Sequence, residues 1–153
     1  MSTIEIGSPA PDFTLRDQHG QDVTLSSLQG VSAALLVFYP FAFSGTCTGE
    51  LCELRDDLST FSGAGAQVMG ISCDPVHSLR AWGEQERYDF PLLSDFWPHG
   101  EVARRYGAFF EPAGMATRAT FLVDASGVLR WSVVNGPGEA RDIGAYRTAL
   151  AAL

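Results

Sequence analysis

Two continuous apolar runs stand out from the alternation of hydrophobic and polar positions along the chain. The first is AALLVFY, residues 33–39, and the second lies within QVMGIS, residues 67–72. Neither run alternates, and both are short and bounded by glycine, proline or polar residues, which is typical of strands buried on both faces of a parallel sheet. We therefore predict two central strands, and Pro40 ends the first of them.

Helical periodicity follows each of these runs. Between residues 46 and 61 the apolar positions recur at intervals of three or four, at Leu51, Leu54, Leu58 and Phe61, until GAGA breaks the pattern. Asp74 and Pro75 open a second helix, with Pro75 in its first turn, that runs to about residue 87. GEVARRYG predicts a short helix closed by Gly107, and residues 141–153 have the period of a C-terminal helix.

Alternating runs around turn residues predict two hairpins. One joins SPAPDFTL to QDVTLSSL through His19 and Gly20, and the other joins ATFLVD to VLRWSVV through residues 125–127. FPLLSD is a short strand or a loop, and FFEPAGMATR is a loop. Strands that alternate with helices and end in an antiparallel hairpin imply a mixed sheet covered on both faces. The expected fold is α/β, a thioredoxin-like three-layer sandwich with a mixed central sheet and an N-terminal hairpin.

Composition narrows the class of protein. The chain has 153 residues, 46% of them hydrophobic and 18% charged, without repeats, so we expect a single globular domain over residues 1–153. A net charge of −8 argues against nucleic acid or an anionic membrane as partner. The chain starts without a basic segment, and no apolar run approaches the ~20 residues of a membrane helix, so we expect a cytoplasmic protein.

The stretch PFAFSGTCTGELC places Cys47 just after the first buried strand, in the first turn of the predicted helix. Unpaired backbone N–H groups and the helix dipole lower the pKa of a thiol there, and one nearby cation would lower it further. The alternative is a buried cysteine that acts as a small hydrophobe. The residues before Cys47 suit a tight turn that exposes N–H groups better than they suit a packing site.

The same stretch resembles the signature of the peroxiredoxins: Pro40, three residues, Ser44, two residues and Cys47. The resemblance continues through APDFTL, GISCDP, FPLLSDFWPHGEVARRYG and RATFLVDASGVLR, and FPLLSDFWPHG is similar to the one-cysteine alkyl hydroperoxide reductase E subgroup of actinobacteria. It covers essentially the whole chain. It implies a thiol peroxidase that needs no metal or other cofactor and that is recycled by a thiol reductant such as thioredoxin or mycoredoxin.

The resemblance also implies roles for single residues. Cys47 would attack the peroxide and become a sulfenic acid, Ser44 would hydrogen-bond the peroxide, and Pro40 would shield the thiolate from water. Arg118 in TRATFLVD would supply the cation, and Glu50 would orient the network around that arginine. The alternatives are a surface salt bridge for Arg118 and an ordinary acid on a helix face for Glu50. Members of the family commonly pair, so a homodimer or higher homo-oligomer is expected.

Cys52 departs from the one-cysteine subgroup. Five residues along a helix correspond to a rotation of roughly 140°, so the two thiols face different sides while the helix is intact. The bacterioferritin-comigratory, or Q, type of peroxiredoxin often carries its resolving cysteine at this spacing, and there the helix unwinds. We therefore hypothesise that Cys52 resolves the sulfenic acid; the alternative is a buried helix cysteine. Cys73 is expected to pack at a strand end, with a resolving role as the second choice.

Other kinds of chemistry fit less well. A cysteine phosphatase needs an arginine six positions after its nucleophile, a thioredoxin-type oxidoreductase needs C-x-x-C, and a zinc site needs paired ligands, none of which occurs here. The three histidines, His19, His77 and His99, are expected to be solvated or capping residues. A non-catalytic binding module with a packing cysteine remains the alternative from another class. The preferred peroxide stays open, although Phe41, Phe43, Phe109 and Phe110 favour organic substrates.

Overall fold

A seven-stranded mixed sheet forms the centre of the protein. A computed structural model of the chain describes residues 4–135 and 142–153, except for the side chains of residues 46–48. The strands are β1 (Thr14–Arg16), β2 (Asp22–Thr24), β3 (Ala33–Phe38), β4 (Ala66–Ser72), β5 (Leu92–Ser94), β6 (Phe109–Phe110), β7 (Met115–Ala116), β8 (Arg118–Val123) and β9 (Leu129–Asn135). The sheet has the order β2-β1-β5-β4-β3-β8-β9, while β6 and β7 form a small separate pair. Strands β3, β4 and β5 are parallel, and β8 runs antiparallel to β3.

Helices cover both faces of this sheet. They are α1 (Gly45–Asp56), α2 (Leu58–Gly63), α3 (Val76–Glu86), α4 (Glu101–Arg105) and α5 (Ile143–Ala151), with short 3₁₀ helices at Leu25–Leu28 and Glu111–Ala113. Apolar side chains of α1, α2, α3 and α5 pack on one face, and those of α4 and of Leu25 pack on the other. The predicted three-layer arrangement, its mixed sheet and its N-terminal hairpin of β1 and β2 are confirmed.

Strand β3 shows why its sequence is apolar at every position. Leu35 and Val37 belong to the core below α1 and α3, whereas Leu36 and Phe38 belong to the core on the opposite face. All six residues of β3 are buried, because a central strand has no solvent-facing side. Pro40, which follows β3, therefore lies at the edge of the sheet where the parallel strands end.

The prediction of one helix over residues 46–61 is wrong, because the chain breaks at Asp57 into α1 and α2. The Asp57 carboxylate accepts a hydrogen bond from the Thr60 hydroxyl at 2.9 Å and pairs with Arg147 of α5, with 2.7 Å between Nη2 and Oδ2. Leu54 and Phe61 are buried on either side of the break. The apolar periodicity therefore continues across the interruption of the helix at Asp57 and does not reveal it.

Smaller differences concern three other segments. Pro75 caps α3 from the position before Val76 and does not lie within its first turn. The segment predicted as a loop before β8 contains β6 and β7, which pair Phe109 with Ala116. FPLLSD does contain a strand, β5, and the C-terminal helix begins at Ile143, whereas Arg141 lies outside the described residues.

Candidate active site

The loop of residues 40–44 joins the end of β3 to the start of α1. Pro40 is buried and Ser44 is half-buried, while Phe41 and Phe43 are exposed at the surface. Phe43 takes a φ of 68°, a left-handed conformation that is strained for a bulky residue and costs on the order of 1–3 kcal/mol. Its ring lies 6.2 Å from the buried ring of Trp82, centroid to centroid. Such strain persists only where surrounding contacts hold the loop, which is common at functional sites.

Helix α1 begins at Gly45, so Cys47 is its third residue, in the first turn as predicted. The side chain of Cys47 lies outside the described residues. Backbone N–H groups in the first turn of a helix lack partners within the helix, and the positive end of the helix dipole lies there. This position therefore favours an anion, either a thiolate or a negatively charged oxygen.

A buried ion pair lies one turn further along α1. Arg118 at the start of β8 donates from Nη1 to Oε1 of Glu50 at 2.7 Å, and the two residues are only 5% and 8% exposed. Arg118 reaches α1 because β8 runs antiparallel to β3 and pairs its Ala119 with Phe38 at the end of β3. The alternatives of a surface salt bridge and an ordinary helix-face acid are both wrong. A guanidinium group is thus held close to the N-terminal half of α1.

Asp74, just after β4, holds the loop of residues 40–44 from the side. Its Oδ2 accepts a hydrogen bond from the backbone N–H of Ala42 at 2.8 Å and from the hydroxyl of Ser72 at 2.7 Å. The hydroxyl of Ser94, at the end of β5, donates to the backbone carbonyl of Asp74 at 2.6 Å. The ends of three parallel strands therefore converge on one loop, immediately before the strained residue Phe43.

Cys52 is half-buried on α1 and faces the end of α3. Its thiol donates to Oε1 of Glu86 at 3.4 Å, and its Sγ lies 3.6 Å from the hydroxyl of Tyr88. Burial raises the pKa of the Cys52 thiol; the hydrogen bond with Tyr88 opposes this shift, and Glu86 adds to it. In the folded helix Cys52 is therefore a protonated, weakly nucleophilic thiol.

The AhpC/TSA family model matches residues 6–132 of the chain. The chain is 49% identical to alkyl hydroperoxide reductase E of Mycobacterium tuberculosis over 150 residues, which cover 98% of both chains. It is 37% identical to peroxiredoxin Bcp of Escherichia coli over 133 residues, which cover 83% of both. The chain belongs to the AhpC/TSA family. It is a peroxiredoxin, and hence a thiol-dependent peroxidase.

Solved structures agree with this assignment. The crystal structure of peroxidoxin BcpB from Mycobacterium tuberculosis superposes with a TM-score of 0.87 at 32% identity and covers 98% of both chains. The reduced 2-Cys peroxiredoxin of Plasmodium vivax gives a TM-score of 0.89 over 97% of this chain and 81% of that chain. At 24% identity the second comparison supports the fold alone. The resemblance inferred from the sequence motifs is confirmed.

The peroxiredoxin brings most of its predicted site residues to one end of the sheet. Pro40 and Ser44 lie in the loop before α1, and Glu50 and Arg118 form the buried ion pair behind it. Cys52 is the exception among the described side chains, because it points to α3 and binds Glu86 and Tyr88.

Sequence reasoning missed three residues that contact this region: Asp74, Glu86 and Tyr88. Asp74 had a usable signal, since it follows the second buried strand and the carboxyl ends of parallel strands meet at one edge. Glu86 and Tyr88 had none, because they are separated from Cys52 by 34 and 36 positions and their contact depends on how α3 packs against α1.

Cys73 is a packing residue, as expected. It is 2% exposed, and burial, with the nearby Asp95 carboxylate, raises the pKa of its thiol to about 12. His19, His77 and His99 are exposed, and a ring nitrogen of His99 hydrogen-bonds the Gly114 carbonyl. Among the described residues no cluster of His, Cys, Asp and Glu has the arrangement of a metal site. None of the described helices is long and apolar enough to span a membrane.

Proposed function

We propose that this peroxiredoxin reduces hydrogen peroxide and organic hydroperoxides through a sulfenic acid at Cys47. The thiolate attacks one peroxide oxygen, so that an S–O bond forms as the O–O bond breaks. The sulfur loses two electrons, and the leaving oxygen takes up a proton from solvent and departs as an alcohol or as water. The exposed rings of Phe41 and Phe43 offer an apolar surface beside the loop for an organic substituent.

The observation that carries this proposal is the buried pair of Arg118 and Glu50. The carboxylate fixes the guanidinium group, so a cation is in place at the N-terminal half of α1 before any substrate binds. Preorganised charge of this kind stabilises both a thiolate and the negative oxygen that develops as a peroxide bond breaks. Ser44 would hydrogen-bond the peroxide, and buried Pro40 would keep water from the thiolate.

We assign the resolving step to Cys52. Its thiol condenses with the sulfenic acid of Cys47; the S–S bond forms, the S–O bond breaks, and water leaves with the thiol proton. A dithiol reductant such as thioredoxin or mycoredoxin would then reduce the disulfide. Because this cycle needs reduced thiols at rest, a reducing compartment such as the cytoplasm is proposed. The exposed Phe96 and Trp97 would suit the interface of a homodimer or higher homo-oligomer.

Intact-mass spectrometry after one equivalent of hydrogen peroxide tests this cycle. We expect the wild type to lose two hydrogens, because the disulfide replaces two S–H bonds. The variant Cys52→Ser should instead gain one oxygen at Cys47, which peptide mapping would locate. Cys73→Ala serves as the control and should behave like the wild type, because the Cys73 thiol is buried and neutral.

Two outcomes would contradict separate parts of the proposal. A wild type that keeps its mass after peroxide treatment would refute the peroxidatic role of Cys47. If oxidation of the wild type stops at the addition of one oxygen, the resolving role of Cys52 would be refuted, while the peroxidatic role of Cys47 would stand.

Asp74 should affect the rate of Cys47 oxidation, because it holds the loop of residues 40–44 in position. Asp74→Ala removes the acceptor for the Ala42 N–H and the Ser72 hydroxyl. We expect the rate of Cys47 oxidation to fall about ten- to a hundredfold, since loss of orientation at a reacting centre has costs of that order. Rapid-quench oxidation by peroxide measures the effect.

Asp74→Asn is the matched variant, because its amide oxygen can still accept these hydrogen bonds. It should recover most of the rate. Equal losses of rate in the alanine and asparagine variants would show that the carboxylate charge, and not the hydrogen bonds to the loop, matters.

A further inference from the structure

Cys52 can reach Cys47 only if α1 opens between them. Five residues of helix advance about 7.5 Å along the axis, whereas bridged cysteines have Cα atoms no more than about 7 Å apart. Cys52 also points towards α3, where Glu86 and Tyr88 bind its sulfur. The resolving step therefore has to break these two contacts before an S–S bond can form.

The contacts around Cys52 form a small cluster that ties α1 to the end of α3. The Cys52 thiol donates to Glu86, so the Tyr88 hydroxyl is the donor to Sγ. Arg55, one turn beyond Cys52, donates from Nη1 to the backbone carbonyl of Glu86 at 2.6 Å. Tyr88 is buried, with its ring stacked on Phe90 and in edge-to-face contact with Trp82, so its hydroxyl is held in place. We call Glu86, the last residue of α3, and Tyr88, two residues beyond it, together the α3 latch.

The segment of α1 between the two cysteines contains the buried Glu50 and Leu51 but also one residue that weakens the helix, Gly49. Gly49 is an exposed helical residue, and a Cβ placed on it would meet no described atom within 4 Å outside its own helix backbone and neighbours. Its φ is not in the left-handed region, so neither packing nor backbone geometry requires glycine at this position. Glycine is nonetheless among the poorest helix formers. The sequence therefore places a weak point between the thiols and an attachment at the second one.

We propose that the α3 latch holds Cys52 away from Cys47 in the reduced enzyme, and that its release, eased by Gly49, sets the rate of disulfide formation. The proposal rests on the resolving role of Cys52 given above. Helix closing, within about a microsecond, is fast compared with thiol chemistry, so the rate of disulfide formation follows the population of open helix. Glu86 and Tyr88 are thus positioning residues for the second chemical step and should leave the first step unchanged.

Single-turnover kinetics test the latch. Reduced full-length protein is mixed with one equivalent of hydrogen peroxide, quenched in acid at set times, alkylated and weighed by mass spectrometry, which separates thiol, sulfenic acid and disulfide. For Glu86→Ala, which removes the acceptor of the Cys52 thiol, and for Tyr88→Phe we expect disulfide formation to be about two- to tenfold faster, the range that loss of one hydrogen bond implies. For Gly49→Ala we expect it to be about fivefold slower. Sulfenic acid formation should be unchanged in all three.

Matched controls lie on the same elements. Glu84→Ala removes a carboxylate from α3 that pairs with Arg80 and does not contact Cys52. Gly63→Ala fills an equally open position at the end of α2, beyond both cysteines. Both controls should match the wild type in both steps. Disulfide formation at wild-type speed or slower in Glu86→Ala and Tyr88→Phe would overturn the proposal.

A second measurement does not depend on peroxidase activity. In the chain carrying Cys47→Ser and Cys73→Ala, a neutral alkylating reagent modifies Cys52 at a rate set by opening of the latch. This rate should rise with Glu86→Ala and Tyr88→Phe and fall with Gly49→Ala. If peroxide oxidises no variant, including the wild type, the proposed function fails, while the alkylation rates still support or overturn the latch by themselves.

Discussion

Replacing Cys47 by serine is expected to abolish peroxide reduction, with a loss of at least about a thousandfold in the rate constant for peroxide consumption. The reason is ionisation: a helix start and a nearby guanidinium group can make a thiol largely anionic at neutral pH, whereas a serine hydroxyl stays protonated and is a poor nucleophile. The fold should be retained, since serine is close to cysteine in size. Peroxide consumption in the presence of a dithiol reductant is the measurement.

The other two cysteines provide the comparison. Cys73→Ala should consume peroxide like the wild type, because that thiol is buried with its pKa raised to about 12. Cys52→Ser should keep the first oxidation and lose turnover with a dithiol reductant. Activity that survives in Cys47→Ser and disappears in Cys73→Ala would assign the nucleophile to Cys73 and contradict the prediction.

Replacing Arg118 by alanine is expected to damage both stability and chemistry. The change leaves the Glu50 carboxylate buried without its cation, and breaking a buried pair costs about 3–5 kcal/mol of unfolding free energy. Removing one preorganised positive group from a reacting centre costs about a hundred- to a thousandfold in rate. Urea denaturation gives the first quantity, and single-turnover oxidation by peroxide gives the second.

A double variant separates the two effects. Arg118→Met combined with Glu50→Leu replaces the ion pair by apolar side chains of similar size, which often restores stability or even improves it. We expect this chain to unfold at a urea concentration close to that of the wild type and still to oxidise slowly. Wild-type oxidation in the double variant would mean that Arg118 serves folding alone. Arg118→Lys should oxidise at a rate between those of the wild type and Arg118→Ala, because it keeps the positive charge but loses the planar guanidinium group.

The order of elements followed from the pattern of the sequence because the signals were local. The buried strands β3 and β4 are continuous apolar runs, and the turn at residues 125–127 marks the hairpin of β8 and β9. Strands β6 and β7 have two residues each, too few to show an alternation. The break at Asp57 depends on Arg147, 90 positions away, and a periodicity within one helix does not record such a contact.

The features of the site that could be predicted from the pattern of the sequence are likewise the local ones, whereas those that depend on distant contacts could not be. The placement of Cys47 in the first turn of a helix followed from Pro40, the small residues after it and the helical period. Arg118 and Glu50 are separated by 68 positions, and their pairing came only from the resemblance to peroxiredoxins. The cluster of Cys52, Glu86 and Tyr88 depends on the packing of α3 against α1, and neither periodicity nor family motif indicated it.

Trp82 lies between the loop of residues 40–44 and the α3 latch and contacts both. Its buried ring is 5.3 Å from Tyr39 at the end of β3, 6.2 Å from Phe43 in the strained loop and 5.0 Å from Tyr88 of the latch, centroid to centroid. Trp97, by contrast, is 80% exposed, so a soluble quencher suppresses its emission. The third tryptophan, Trp131, is half-buried against Tyr146, and Trp131→Phe would remove its emission. In a chain that carries Trp131→Phe, the emission of Trp82 would therefore report both a rearrangement of the loop of residues 40–44 and the release of Cys52 from the α3 latch, without any attached label.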